Sequence, residues 1–209
     1  MSHKVNPKIF RIGLTQNWSS TWFSKKNYKG ILMEDLEIRK FLEKTLGKGI
    51  IEETRIERIG NKVSVIIRTP KPGVIIGRGG EGVEILLKKI RTIVKNKEIK
   101  VDIEEIREPS MSASIVAQQI AQDIERRVPY RRAVKRATFR VLQKKEVKGI
   151  KVKVKGRLNG AEIARSETFK NGNLPLQTLR ADVDYSEVRA HCSYGTIGIK
   201  FWLYKGEKV

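Results

Sequence analysis

A glycine-rich segment at residues 74–82, VIIGRGGEG, places the strongest constraint on how this chain can fold. Glycine adopts positive φ at little cost, so the cluster predicts a sharp turn between two regular elements. Two apolar runs at 50–59 and 63–68, joined by Gly60-Asn61, precede it and predict an antiparallel strand pair. An amphipathic helix follows, with Val83, Leu86, Leu87, Ile90 and Val94 at helical spacing. With a helix over 34–46 and a strand over 99–106, the predicted order is helix, strand, strand, short helix, glycine loop, helix, strand.

Two interpretations of the glycine loop stay open at this point. The first is a turn with no function beyond joining two elements. The second is a phosphate clamp, because Gly-x-x-Gly at a helix start exposes backbone N–H groups to an approaching sugar-phosphate backbone. The context, after two strands and before a helix, is the one in which a KH domain holds nucleic acid. The candidate RNA-binding loop consists of Gly77, Arg78, Gly79 and Gly80. Replacing Gly77 and Gly80 with Asp is expected to block this approach while the core stays folded.

The same letters also outline a dinucleotide-binding fingerprint, with Gly77, Gly79, Gly82 and Asp102. Pro70, Lys71, Pro72 and Gly73 separate these glycines from the preceding strand, whereas the fingerprint follows a strand directly. The two preceding strands are expected to be antiparallel, whereas the cofactor fold needs βαβ crossovers. We therefore predict no cofactor.

The charge balance indicates a polyanionic partner. The chain has 44 Lys and Arg against 23 Asp and Glu, a net charge of +21 and a pI near 10.2. Neutralising phosphates releases counterions, so nucleic acid is the favoured partner. Residues 1–30 contain no acid and predict an extended basic arm, in which the candidate RNA contacts are Lys4, Lys8 and Arg11.

Pro109 marks a predicted domain boundary, and a second unit with helices over 112–128 and from Tyr130 follows. Further strands are predicted at 150–157, 178–185 and 196–204. We expect an α+β fold in both units, the second having two helices on a mixed sheet.

The helix from Tyr130 carries the largest basic cluster. Like charges spaced by four residues repel one another on a helix, so such a row indicates a partner that offsets the repulsion. Between Arg126 and Arg157 there are fourteen basic residues and one acidic residue, Glu146. The candidate contacts are Arg127, Arg131, Arg132, Lys135, Arg136 and Arg140.

A strand after this helix places Lys151, Lys153 and Lys155 on one side and apolar residues on the other. These lysines are further RNA-contact candidates, although charged residues also protect sheet edges from aggregation, which leaves the signal ambiguous.

Residues for catalysis or metal binding are not grouped in this sequence. The histidines are His3 and His191, and the single cysteine is Cys192, which excludes an intramolecular disulfide. No Cys/His spacing matches a zinc site, and no segment resembles a membrane span or a secretory signal. We expect an intracellular, non-enzymatic protein without a metal, a small-molecule substrate or a membrane partner.

Several longer motifs resemble one family, the bacterial small-subunit ribosomal protein S-three. They cover the chain in order: KVNPKIFRIG, PGVIIGRGG, ERRVPYRRAVKRA, GRLNGAEIARSE, PLQTLRADVDY and YGTIGIKFWLYKGE. The resemblance implies a basic arm at 1–29, a type II KH domain at 30–107 and a second α+β domain at 110–207. It places the family on cytoplasmic ribosomes, with plastid ribosomes also compatible.

The resemblance also implies partners and roles. The family lies in the head of the small subunit against its ribosomal RNA, near proteins ten and fourteen. With proteins four and five it lines the entrance channel for messenger RNA. There basic residues that match Arg131, Arg132 and Lys135 help to unwind message without ATP hydrolysis. The loop departs from the family, since relatives carry two lysines where this chain has Arg78 and Gly79. The alternative is a free-standing KH regulator or a ribosome-assembly factor.

Overall fold

The structure, a computed structural model, describes residues 5–47, 49–94 and 98–207. Its helices are α1 (Pro7–Phe10), α2 (Tyr28–Leu46), α3 (Pro72–Ile76), α4 (Glu81–Ile93), α5 (Ala113–Glu125) and α6 (Tyr130–Leu142). Its strands are β1 (Ser20–Thr21), β2 (Glu53–Ile59), β3 (Lys62–Thr69), β4 (Glu98–Glu105), β5 (Gly149–Gly156), β6 (Arg165–Gly172), β7 (Ala181–Cys192) and β8 (Gly195–Glu207).

The chain forms two compact units. Among the described residues, one is Trp18–Arg107, and the other joins residues 5–17 with residues 108–207. The predicted division into 1–29, 30–107 and 110–207 differs from this grouping at the amino terminus. As a statement about domains, that division stays a prediction.

The unit Trp18–Arg107 has the predicted order of elements around a four-stranded sheet. The sheet order is β1-β2-β3-β4, with β2 antiparallel to β3 and β3 parallel to β4. Alternate residues of β3, Val63, Val65 and Ile67, are fully buried because successive side chains point to opposite faces. They form one apolar core with residues of α2 and α4, including Ile38 and Ile90.

Helix α2 begins at Tyr28, six residues before the predicted start at 34. Glu34 and Asp35 resemble the acidic first turn of a helix, but both bind Arg58 of β2 instead, Asp35 with a bond from Arg58 Nε of 3.0 Å. Asp35 also accepts a 2.8 Å hydrogen bond from Trp22 Nε1. The two acidic residues that resemble a helix start therefore form an ion pair between α2 and β2.

The short strand β1 was not predicted, and it pairs in parallel with β2. Arg39 of α2 secures it, donating 2.8 Å and 2.6 Å hydrogen bonds to the carbonyls of Ser19 and Thr54. A two-residue strand has no periodicity of its own, so only these long-range contacts reveal it.

The second unit is a four-stranded sheet with α5 and α6 packed on one face. The sheet order is β6-β5-β8-β7 and all of its pairings are antiparallel, which corrects the predicted mixed sheet. One apolar core joins the two helices to the sheet, and its fully buried residues include Ile120 of α5, Val134 of α6, Val152 of β5 and Phe201 of β8. Strand β6 was not predicted because its sequence, RSETFKNG, belongs to a polar edge strand without clear alternation.

The amino-terminal segment differs from the predicted extended arm. Residues 7–10 form α1, and Arg11 immediately after it is fully buried. Lys8 pairs with Asp184 of β7 at 3.3 Å. Residues 5–17 therefore pack on the second unit. No helix in the described part of the chain is long and apolar enough to cross a membrane.

Candidate nucleic-acid interface

The glycine loop lies between the end of α3 and the start of α4, as predicted. Gly77, Gly79 and Gly80 have φ of 71°, 61° and 89°, in the region that favours glycine. Arg78 is exposed between them. Backbone at the start of α4 and the guanidinium of Arg78 are thus open to an anion such as a phosphate.

The positive φ values change one expectation. Asp at Gly77 or Gly80 would be strained whatever space surrounds it, so those substitutions would disturb the loop as well as block an approach. Replacement of Arg78 is the cleaner probe.

Gly82 has a packing role. A Cβ there would lie 2.3 Å from the carbonyl oxygen of Ile75, so only glycine allows α4 to approach α3 this closely. The third glycine of the apparent dinucleotide fingerprint is thereby explained without a cofactor.

The remaining geometry also departs from a dinucleotide site. Helix α3 separates the glycines from β3, and Asp102 on β4 forms an ion pair with Lys100 at 2.9 Å. Strands β2 and β3 are antiparallel as predicted, but the expectation that this unit lacks a βαβ crossover is wrong. The segment from β3 through α3 and α4 to β4 is a parallel crossover, because β3 and β4 run in the same direction.

Helix α6 presents a basic face. Tyr130, Ala133, Val134 and Val141 are buried, which turns the opposite side of the helix to solvent. That side carries Arg131, Arg132, Lys135, Arg136 and Arg140, all exposed. Because an α-helix repeats every 3.6 residues, these five cations lie side by side and form one continuous cationic surface.

Three of these five side chains have acceptors from other elements. Arg131 pairs with Glu167 of β6, Arg136 with Asp123 of α5 at 2.6 Å, and Arg140 donates to Gln119 at 3.3 Å. Hydrogen bonding to Glu167 raises the pKa of Arg131, and the same bond lowers the pKa of Glu167. Within the described chain, Arg132 and Lys135 make no side-chain hydrogen bond or ion pair. These two cations have the most freedom to bind phosphate.

The lysines of β5 lie on the sheet face opposite α5 and α6. Lys151 lies over the Trp202 ring at 5.3 Å, and Lys153 is directly opposite Lys200 of β8. Strand β5 is an interior strand, so edge protection does not explain its lysines. By register, Lys170, Arg189 and Lys200 share this face, and Glu187 lies on it directly opposite Lys200.

The other predicted contacts have mixed outcomes. Lys4 lies outside the described residues, and Lys8 is in an ion pair. Arg11 has no exposed surface, so the prediction that it contacts RNA is wrong: its guanidinium binds backbone carbonyls of the same unit. Arg127, with φ of 64°, is exposed in the turn before α6.

Sequence reasoning missed several residues on these surfaces. Phe139 is 67% exposed on α6. Its spacing of four from Lys135 and eight from Arg131 could have placed it on the basic face. Lys170, Arg189 and Lys200 join the β5 lysines only through strand pairing, which the sequence does not display.

The described residues contain no group of three metal-ligating side chains, and His191 beside Cys192 is exposed.

Comparison with known families agrees with this architecture. A KH domain model matches residues 37–111, and the model for the C-terminal domain of ribosomal protein S3 matches residues 120–203. The helix–sheet order and glycine loop of the first unit thus define a KH protein, with an S3-type second domain.

The full-length relatives are more specific. The chain is 47% identical to small ribosomal subunit protein uS3 of Caldicellulosiruptor saccharolyticus, covering 99% of this chain and 93% of the relative. It is 49% identical to the uS3 protein of Oleidesulfovibrio alaskensis (99% and 96% covered) and 46% identical to that of Persephonella marina (100% and 92% covered). The chain therefore belongs to the family of small ribosomal subunit protein uS3.

Proposed function

We propose that this chain is a structural, non-catalytic component of the small ribosomal subunit head. It binds small-subunit ribosomal RNA and lines the entrance channel for messenger RNA, where α6 holds message and helps to unwind it. The site residues proposed for the channel are Arg131, Arg132 and Lys135.

The exposed face of α6 carries the proposal. Five cations occupy three turns of one helix, and Arg132 and Lys135 lack an internal acceptor in the described structure. Clustered like charges destabilise a free helix, and phosphates would relieve this repulsion on binding. Arg127 at the start of the helix extends this surface, and the lysines of β5 form a second cationic surface on the opposite face of the sheet.

The glycine loop contributes a second, weaker contact in this proposal. Arg78 supplies a single charge beside the start of α4, and the exposed glycines allow a sugar-phosphate backbone to approach. We expect Arg78 to bind phosphate without reading sequence.

We extend the proposal to the surroundings that the resemblance to the family implies. They are the ribosomal RNA of the head, proteins ten and fourteen nearby, and proteins four and five at the channel. The proposed location is the ribosome in the cytoplasm or in a plastid. Binding of RNA through phosphate contacts requires no cofactor.

Charge reversal on α6 tests this function. Replacing Arg132 and Lys135 with Glu should weaken binding of single-stranded RNA and flatten its salt dependence, by about 0.7 in log–log slope per lost phosphate contact. Filter binding or fluorescence anisotropy over a range of KCl concentrations measures both quantities.

Lys40→Glu, at an exposed position of α2 with no assigned RNA contact, is the charge-matched control for the single variant Lys135→Glu. Its effect should reflect net charge alone. If Lys135→Glu and Lys40→Glu changed the salt slope equally, α6 would not be a phosphate-binding surface.

A further inference from the structure

A pocket lies at the amino-terminal end of α6, beside the proposed message-binding face. It has a volume of about 420 Å³ and is lined by Tyr130, Arg131, Leu158, Asn159, Gly160, Ala161 and Arg165. This volume falls within the range of pockets that hold small organic groups. Its wall combines the buried Leu158 and Tyr130 with the guanidinium groups of Arg131 and Arg165, which suits a flat apolar group attached to an anion.

The loop wall of the pocket is fixed before any ligand arrives. Residues Leu158–Gly160 form a tight turn in which Asn159 and Gly160 both have positive φ, 55° and 80°. Arg157 holds this turn, donating hydrogen bonds of 3.0 Å to the Ala161 carbonyl and 3.1 Å to the Tyr194 carbonyl. A preorganised wall lowers the entropy cost of binding.

Beside the pocket, the carboxylate of Glu167 would compete with a bound anion for Arg131. Arg131 lies 5.7 Å from the centre of the Tyr130 ring and pairs with the Glu167 carboxylate. Arg165 lies two residues before Glu167 on β6, so both project from the same face of the strand. Although Arg131 is paired with Glu167, its side chain is 65% exposed. A phosphate could therefore replace the Glu167 carboxylate without unfolding any element.

We propose that this pocket takes one unstacked nucleotide of a single-stranded RNA. The base enters against Tyr130 and the Leu158–Ala161 wall, and its phosphate binds Arg131 and Arg165 in place of Glu167. The inference rests on the proposed function, because it requires RNA at α6. It adds a preference for single strands, since a base paired in a duplex cannot enter without leaving its stack.

Two substitutions in the full chain test the site. Ala161→Leu narrows the pocket at a residue whose extended backbone, φ −56° and ψ 140°, accepts leucine. It should weaken binding of a single-stranded RNA oligonucleotide about tenfold, the value of roughly one stacked base, and leave binding of duplex RNA unchanged. Ala164→Leu, at an exposed position of the same segment, should bind both RNAs as the unmodified chain does.

Glu167→Gln removes the competing carboxylate and keeps the pocket shape. It should raise single-strand affinity by about two- to fivefold beyond Glu162→Gln, as expected for release of an exposed ion pair. Glu162 is exposed outside the pocket lining and loses the same charge. This comparison keeps the test decisive if Ala161→Leu fails to fold.

The outcomes separate the inference from the function on which it rests. Loss of affinity in the Arg132 and Lys135 double variant, with Ala161→Leu and Glu167→Gln matching their controls, would overturn the pocket and leave the proposed function standing. Failure of the unmodified chain to bind either RNA would overturn the proposed function first.

Discussion

Arg11 is a charged side chain without exposed surface, and it holds the amino-terminal segment on the second unit. Its guanidinium donates to the carbonyls of Ala181 (2.8 Å), Pro7 (3.1 Å), Leu176 (3.0 Å) and Thr178 (2.9 Å). Burial lowers the pKa of Arg11, and the nearby charge of Asp182 acts in the opposite direction. Arginine remains cationic under these conditions, so the carbonyl dipoles stabilise a buried charge.

Replacing Arg11 with Met should reduce the free energy of unfolding by about 3 kcal/mol or more, because several buried carbonyls lose their donor. Urea denaturation measures this change. Lys8→Met is the control, since it removes one partly exposed ion pair and should cost less than about 1 kcal/mol. Equal losses in the two variants would contradict the structural role of Arg11.

Arg11 also marks a limit of sequence reasoning at this scale. Its segment contains basic residues and no acids, and such composition predicts solvated cations. Its acceptors are backbone carbonyls as far as 170 residues away, which no side-chain pattern reveals. Arg132 and Lys135, by contrast, occupy the exposed side that helical periodicity predicts.

At the scale of elements, β5 combines a core face with a cationic face. Ile150, Val152 and Val154 are buried, while Lys153 lies directly opposite Lys200 on β8. Like charges at directly paired positions destabilise a sheet. Glu187 on β7 pairs with Lys200 at 3.2 Å and offsets part of this repulsion, and a bound polyanion would relieve the rest.

Replacing Lys153 with Glu should raise the free energy of unfolding by a few tenths of a kcal/mol, roughly the size of one cross-strand charge pair. The same change should weaken RNA binding. Chemical denaturation and anisotropy titration measure the two effects on one sample.

Lys155→Glu is the matched control. Its paired neighbours are Ser166 and Gly198, so it should weaken RNA binding without raising stability. A stability gain in both variants would show that the relief of repulsion is not local to Lys153 and Lys200.

Periodicity explains which elements could be predicted. Strands β3 and β5 alternate cleanly, and α4 and α6 repeat apolar residues at helical spacing, so their positions follow from the sequence. Strands β1 and β6 depend on pairing with strands already formed, and neither has its own apolar pattern. The interior position of β5, which removes the edge explanation for its lysines, likewise depends on tertiary pairing.

For the whole molecule, the net charge of +21 and the order of elements pointed to an RNA-binding α+β protein, and the fold and family agree. The grouping of the amino-terminal residues with the second unit was not predictable, because it depends on Arg11 and Lys8 contacting β7 and the loop before it. The basic face of α6 could be predicted from the sequence. The ion pairs that its arginines make with Asp123 and Glu167 could not, because these acceptors lie on other elements.

The most direct test of the central claim is photocrosslinking of message on the assembled particle. Small subunits from cells that contain this chain would be loaded with a message carrying 4-thiouridine downstream of the decoding site, irradiated, and analysed by peptide mass spectrometry. We expect crosslinks to peptides from Tyr130–Leu142 and the neighbouring 158–165 segment. Absence of the chain from small-subunit fractions, or crosslinks confined to other proteins while the chain is present, would contradict the account.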